Sequence, residues 1–197
     1  MSDEVERFRP TSGRLIGGLA LVMSGVVVVI ALVDRDSGVA PWGIAAACFT
    51  GALSWTAMLR PAVALAEHEL VMRNMLDTVH VPLAAVEDVV VRQVLAVKAG
   101  ERRFLSPAIG RTRRQISRNV RAPGDESSGR QLAEEPYALF VEERIRGRAA
   151  DAREKAGIKA HSEEQRALAA AVRRERAWPE IAALTLSAVA LVVTLLL

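Results

Sequence analysis

The stretch LIGGLALVMSGVVVVIALV, Leu15–Val33, decides the kind of fold, because its 19 residues contain no charge. A second uncharged stretch follows at Trp42–Leu59 and a third at Ile181–Leu197, with 18 and 17 residues. A helix that crosses the hydrocarbon core of a bilayer needs about 20 residues, with a range of about 17–25. We therefore predict three transmembrane helices, of which the first two form a hairpin joined by residues 34–41.

Charged residues make up 25% of the chain and hydrophobic residues 51%, and the two kinds are segregated. The region 60–178 holds 22 Lys and Arg against 17 Asp and Glu, and it is long enough for one small domain with its own core. The predicted segments are an arm 1–14, a transmembrane hairpin 15–60, a soluble domain 61–160, a juxtamembrane helix 161–178 and a third transmembrane helix 179–197.

Arginine is distributed unevenly around the predicted spans. The N-terminal arm and the region 60–178 are rich in it, whereas the loop 34–41 contains Arg35 alone. Because short segments rich in Lys and Arg stay in the cytoplasm, we predict a multi-pass protein of the cell membrane. Its N-terminus and soluble domain would be cytoplasmic and its C-terminus outside. A cleaved signal peptide is the competing interpretation, but the first run exceeds the usual apolar core of about 7–15 residues.

Small residues recur on one face of the second span, at Gly43, Ala47 and Gly51. Such a helix-packing stripe lets backbones approach closely, which in lipid is a main source of helix association. It fits a dimer interface or, as the plainer interpretation, packing of the hairpin on itself or on the third helix. The three runs contain no charged residue and no His, which argues against a transporter or a proton pump.

From Pro61 the hydrophobic pattern changes to a period of two, which is typical of β-strands. Turns at 74–77 and 99–101, and one helical turn at Leu83–Ala85, separate the runs. The predicted strands lie at 62–66, 70–73, 78–81, 86–92, 94–98 and 102–105. Short strands with turn residues between them indicate an antiparallel meander.

The pattern fades after Pro107, and residues 110–135, rich in Arg, Gly, Ser and Glu, are predicted to form a flexible loop or an irregular excursion. Pro136 suits the first turn of a helix, whose apolar stripe would cover the sheet. That stripe consists of Tyr137, Phe140, Val141 and Ile145. A capping box at 162–165 predicts another helix that continues to Trp178.

Strands in a meander followed by one amphipathic helix are the layout of a pleckstrin-homology-like (PH-like) roll. The segments RPAVAL (60–65), LVMRN (70–74) and TVHVPLAAVEDV (78–89) resemble a bacterial PH domain. The chain is similar to the low molecular weight protein antigen 6 group of actinobacterial membrane proteins, which typically place two membrane helices before the domain. The predicted fold class is an α+β membrane protein: three transmembrane helices and a cytoplasmic PH-like antiparallel β-roll capped by an amphipathic helix. The third helix is an addition to the simplest layout of the family, and residues 110–135 lengthen its usual domain. The resemblance covers roughly residues 15–108. It implies no enzymatic activity, no metal and no cofactor.

Basic residues dominate the stretch 98–121, where eight Lys and Arg stand against the single acid Glu101. A Lys or Arg held beside anionic lipid contributes about 1 kcal/mol to membrane binding. The candidate headgroup contacts are Arg102, Arg103, Arg111, Arg113, Arg114, Arg118 and Arg121. A solvated loop that merely follows the positive-inside bias is the alternative. A second basic cluster, at 173–176, is predicted to anchor the helix end beside Trp178.

The sequence contains no phosphate-binding or nucleophile motif, and its His residues, His68, His80 and His161, share no metal spacing. We therefore expect no enzymatic activity and no cofactor. Nucleic acid is not an expected partner, because Phe104 is the only aromatic residue in the basic stretch. The predicted function is a non-catalytic scaffold or accessory subunit in the lipid bilayer that binds a protein partner. An anionic-lipid sensor is the alternative, and the partner's identity and a homo-oligomeric state are left open.

Overall fold

The computed structural model describes residues 5–8, 13–34, 38–110 and 129–197, with the backbone alone for 129–136. The chain divides into two compact units. One contains three long apolar helices and the turn Met75–Asp77. The other contains two antiparallel sheets and the two remaining α-helices. The predicted α+β class, with three long apolar helices, is confirmed at this level.

The apolar helices coincide with the three uncharged runs of the sequence. They are α1 (Gly13–Val33), α2 (Pro41–Ser54, continued by a π-helix over Trp55–Leu59) and α5 (Trp178–Leu196). Each is long and apolar enough to cross a membrane, with mean hydropathies of 2.7, 1.3 and 2.0. Large apolar side chains such as Leu19 and Leu186 lie on the helix surface. The three helices therefore imply contact with a lipid bilayer.

The second helix widens before it ends. The N–H of Arg60 donates to the carbonyl of Trp55 at 2.9 Å, five residues earlier, which is the π-helical pattern. Within this turn the hydroxyl of Thr56 donates to the carbonyl of Ala52 at 2.8 Å. A side chain that bonds back to its own helix satisfies its polar group without water.

The larger sheet has five strands in the order β1-β2-β3-β4-β8. They are β1 (Glu6–Phe8), β2 (Ala62–Leu65), β3 (Glu69–Arg73), β4 (Asp77–Pro82) and β8 (Arg173–Arg176). The register places Met72 of β3 opposite Val63 on one side and Val79 on the other, and all three side chains are buried. The strands predicted from the period of two are confirmed here, with boundaries that differ by one residue.

The predicted arm 1–14 contributes a strand to this sheet instead of remaining separate. Arg7 and Phe8 of β1 lie opposite Ala64 and Val63 of β2, and Phe8 is buried in the core. A three-residue strand gives almost no periodic signal, so its partner, far away in the sequence, determines its conformation.

The smaller sheet has three strands, β5 (Asp88–Val91), β6 (Leu95–Ala99) and β7 (Arg102–Ser106), in chain order. A single 3-10 turn over Leu83–Ala85 precedes it, as predicted. The β6–β7 connection contains Gly100, whose φ of +58° lies in the left-handed region that suits glycine. Both sheets contribute to one core.

Helix α3 (Gly129–Lys155) covers this core with one stripe of small and branched residues. The buried positions are Ala138, Val141, Ile145 and Ala149, which recur at the spacing of one helix face. Tyr137 packs against the core in part. The prediction that Phe140 belongs to the stripe is wrong: its side chain is 55% exposed, because one position along a helix rotates a residue by about 100° away from Val141.

The ends of α3 differ from the sequence prediction. The helix begins at Gly129 rather than near Pro136, since residues 131–135 are good helix formers. The rest of the predicted loop 110–135, residues 111–128, lies outside the described residues. At the C-terminal end Gly157 has a φ of +68°. Its N–H donates to Glu154 O, and that of Ile158 donates to Arg153 O, each at 3.0 Å, which is a Schellman cap.

The helix predicted over 161–178 is a second correction. Helix α4 covers only Glu163–Leu168, a 3-10 turn follows at Ala169–Ala171, and the chain then extends into β8. The predicted cap at Ser162 is present, because its side chain accepts a hydrogen bond from Gln165 N–H at 3.2 Å. Pairing with β4 supplies the backbone partners that make the extended conformation favourable over 173–176.

Candidate functional site

The three-stranded sheet has a core face and an opposite face that we call the outer face. Strand β6 shows the alternation, with Leu95, Val97 and Ala99 buried and Ala96 and Lys98 turned the other way. The β-register extends this face across all three strands. Its charged row is Asp88, Lys98 and Arg103, and its apolar row is Val90, Ala96 and Leu105.

The apolar row ends at an exposed leucine. Leu105 is 54% exposed. It lies directly opposite Ala96 and two residues from Arg103. A small apolar patch bordered by charges has the composition of a protein–protein contact, which combines an apolar centre with a polar rim.

One member of the charged row, Lys98, forms an ion pair with a buried carboxylate. Lys98 Nζ lies 2.8 Å from Glu87 Oε2, and the Glu87 side chain is only 3% exposed. The hydrogen bond from Lys98 is the main cause that lowers the pKa of Glu87, and the positive charges of Arg166 and His161 act in the same direction, while burial opposes them. Its Oε1 finds no hydrogen-bond partner among the described residues. Because Lys98 is neutralised in this way, Arg103 contributes most of the positive charge of the row.

Helix α3 covers the edge of the sheet at β5, and we call the two edges of this sheet its margins. The N–H of Val91 donates to Glu142 Oε2 at 2.9 Å, and Arg146 Nη2 donates to the carbonyl of Val89 at 2.9 Å. The two α3 side chains, four residues apart, also form an ion pair with each other at 2.9 Å. Side chains thus take the place of a neighbouring strand along β5, which protects this margin from pairing with another chain.

Two of the seven predicted headgroup contacts lie among the described residues, and one of them, Arg103, lies on the outer face. Arg102 and Arg103 are neighbours on β7, are both exposed and lie opposite Ala99 and Lys98. The other five predicted contacts lie outside the described residues; they are Arg111, Arg113, Arg114, Arg118 and Arg121.

The small-residue stripe of the second span packs within the helical unit. Ala47 and Gly51 are buried, and a Cβ added at Gly51 would lie 3.3 Å from Ser24 Cβ on α1. Gly43 is partly exposed, with space around it except for Val39. Helix α2 contacts both α1 and α5, so Ala47 and Gly51 pack inside the helical unit.

An ion pair at the ends of two spans was not expected from the sequence. Arg60 Nε lies 2.7 Å from Glu180 Oε1, with side chains 13% and 21% exposed. Arg60 Nη1 also donates to the carbonyl of Asp77 at 3.3 Å. The sequence does contain a signal for this ion pair. A positive charge follows the second run, a negative charge precedes the third, and both lie on the same predicted side of the membrane.

The second basic cluster lies on the exposed strand β8 rather than on a helix. Arg173 Nη2 is 3.2 Å from Glu69 Oε1, and His80 Nδ1 is 3.0 Å from Glu69 Oε2. The hydrogen bond from His80 is the main cause of the lowered pKa of Glu69, and the charge of Arg173 adds to it. Arg176 lies over the ring of Trp178, 5.8 Å from its centroid, as a cation–π contact.

Metal ligands do not converge in the part of the chain that the structure describes, which holds no group of three or more His, Cys, Asp or Glu suited to an ion. His80 lies beside Glu69. The exposed ring of His68 is 3.8 Å from Glu67, and His161 occupies a left-handed turn with a φ of 61°.

Comparisons of the chain with protein-family models, with curated proteins and with solved structures found no match in any of the three.

Proposed function

We propose that the chain is a non-catalytic integral membrane protein that presents a cytoplasmic PH-like domain as a protein-interaction scaffold or accessory subunit. The observation that carries the proposal is the outer face, where the exposed Leu105 continues an apolar row bordered by Arg103 and Lys98. Three apolar helices would anchor the chain that carries this face in the membrane.

Two features support the PH-like assignment. A pair of antiparallel sheets shares one core, and helix α3 covers it with a buried stripe. This layout agrees with the resemblance of the segment 60–89 to a bacterial PH domain. Many functions use such a roll, so the fold alone does not name the partner.

The proposed orientation follows from the charges around the spans. Arg14 lies in the first turn of α1, Arg60 follows the π-helix that continues α2, and Arg176 precedes α5. These three cations stand at the same end of the three spans, which the positive-inside bias assigns to the cytoplasm of the cell. The proposed location is the cell membrane, with the C-terminus outside.

Affinity capture from native membranes tests the scaffold. We would compare the intact chain with Ala96→Asp, which places a charge in the middle of the apolar row. Ala167→Asp makes the same change at an exposed position of α4 and serves as the matched control. A stoichiometric protein that is lost with Ala96→Asp and kept with Ala167→Asp is the expected result. Recovery of only the chain and its lipids would contradict the scaffold function.

An anionic-lipid sensor is a second candidate, because Arg102 and Arg103 are both exposed on β7. The full chain in nanodiscs of phosphatidylcholine alone would be compared with nanodiscs that also contain phosphatidylglycerol. A sensor predicts slower hydrogen exchange in β7 with the anionic lipid, and loss of that difference in Arg102→Gln/Arg103→Gln. Equal exchange in the two lipids removes this candidate.

A further inference from the structure

The two margins of the three-stranded sheet are built differently. Side chains of α3 bond to the outward backbone groups of β5, namely the Val91 N–H and the Val89 carbonyl. Strand β7 forms the opposite margin, and its side chains Arg102, Arg103 and Leu105 are exposed. What the β7 margin can bind therefore depends on which backbone N–H and carbonyl groups of β7 point outward.

The register determines which backbone groups of β7 point outward. In an antiparallel pair, the residues along a strand alternate between those that bond to the partner strand and those that turn away from it. Val89 and Val91 turn away from β6, so Ala96 and Lys98 of β6 bond toward β5. The alternate residues Leu95 and Val97 bond toward β7, where Ser106 and Phe104 lie opposite them. Arg103 and Leu105 consequently direct their N–H and carbonyl groups to the margin.

The same two residues carry the exposed side chains of the outer face. Opposite residues of neighbouring strands place their side chains on the same face of a sheet. A segment added beside β7 would therefore extend both rows, with one residue next to Leu105 and another next to Arg103. Apolar and acidic residues complement these positions, since Leu105 is apolar and Arg103, which is exposed, contributes most of the positive charge of the row.

We propose that β7 accepts an extended segment of a protein partner as an additional antiparallel strand. In that segment an apolar residue, opposite Leu105, is followed two positions later by Asp or Glu, opposite Arg103. Addition of a strand to a sheet margin is a general mode of peptide recognition, in which main-chain bonds supply affinity and alternate side chains supply specificity. The inference rests on the scaffold function and names the chemistry of its partner.

Hydrogen exchange of the full chain in nanodiscs, resolved to single amides, tests the margin first. The amides of Arg103 and Leu105 are expected to exchange faster than those of Phe104 and Ser106. Equal protection of all four would show that another part of this chain or a second copy already occupies the margin, and would overturn the proposal.

A decapeptide library displayed on phage, selected on the full chain in nanodiscs, then tests the segment. We expect enrichment of sequences in which an apolar residue precedes an acidic one by two positions. Leu105→Pro removes the outward N–H but no bond to β6, and it should weaken an enriched peptide about tenfold relative to Leu105→Ala. Arg103→Glu should shift the selected residue from acidic to basic, whereas Lys159→Glu, at an exposed position, should leave the selection unchanged.

Two outcomes would overturn strand addition: no enrichment above empty nanodiscs, or enriched peptides that bind Leu105→Pro as tightly as Leu105→Ala. The scaffold function fails separately. A captured protein that is lost with Ala96→Asp but retained with Leu105→Pro would preserve the scaffold and exclude β7 as its docking strand.

Discussion

The side chain of Gln165 connects α4 to the smaller sheet, and its removal gives a quantitative test of the fold. Gln165 is fully buried. Its Nε2 donates to the carbonyl of Val86 at 2.9 Å, and its Oε1 accepts from the N–H of His161 at 2.7 Å. One amide therefore holds the left-handed turn at His161 against the segment that leads into β5.

We predict that Gln165→Leu destabilises this region by about 2 kcal/mol. A leucine fills nearly the same space, so the loss comes mainly from two hydrogen bonds at about 1 kcal/mol each. The Val86 carbonyl keeps its bond from Arg153 Nη1, at 2.7 Å, and the exposed His161 leaves its N–H within reach of water. Because both backbone groups keep a hydrogen-bond partner, the loss of stability stays well below the cost of leaving two buried groups unsatisfied.

Hydrogen exchange of the full chain in nanodiscs measures this effect locally. A change of about 2 kcal/mol corresponds to roughly 30-fold faster exchange of the α4 amides. Ala167→Leu, at an exposed position of the same helix, controls for added apolar volume and should leave exchange unchanged. If Gln165→Leu exchanges at the rate of the unaltered chain, the buried amide does not hold this segment and the reasoning is refuted.

Three further predictions concern the ion pair, the core and the spans. The pKa of Glu87 lies below its ordinary value of 4.5, so the stability that its ion pair with Lys98 contributes is present at neutral pH and is lost as the pH falls through the lowered pKa. In thermal unfolding measured at a series of pH values, the midpoint of Lys98→Met should therefore fall less on acidification than that of the unaltered chain. Ile145→Ala empties a fully buried position and should lower the free energy of unfolding by about 2–5 kcal/mol in denaturant titration; a loss below 1 kcal/mol would contradict its place in the core. Gly51→Leu should lower the thermal midpoint of the detergent-solubilised chain, whereas Gly25→Leu, whose added Cβ meets nothing within 4 Å, should not; equal midpoints would argue against close packing of α1 on α2.

The length of the uncharged apolar runs was sufficient to predict the spans. A period of two was sufficient for the strands between Ala62 and Ser106, because burial of one face of a strand produces an alternation that the local sequence displays. It was insufficient for β8, whose sequence Arg-Arg-Glu-Arg is exposed at every position. Such a segment has no apolar face, and pairing with β4 alone makes it a strand. β1 is similar, since three residues contribute only Phe8 to the core.

The candidate site was predictable in part. Arg102 and Arg103 stood out as cations beside a turn, but the neighbours of Arg103 on the outer face depend on the β6–β7 register. The exposure of Leu105 could not be foreseen, because alternation in a short strand does not show which of its faces is buried. Closure of the β5 margin by Glu142 depends on a contact between residues 51 positions apart in the chain.

That separation has a consequence for biosynthesis. The acceptor for the Val91 N–H is made 51 residues after Val91 itself, and chains grow at about 5–20 residues per second. The margin of β5 therefore exists without its cover for roughly 3–10 seconds in each round of translation. During this interval the nascent sheet can pair with another polypeptide, so slow translation between β7 and α3 should increase the need for chaperones and the yield of aggregated chains.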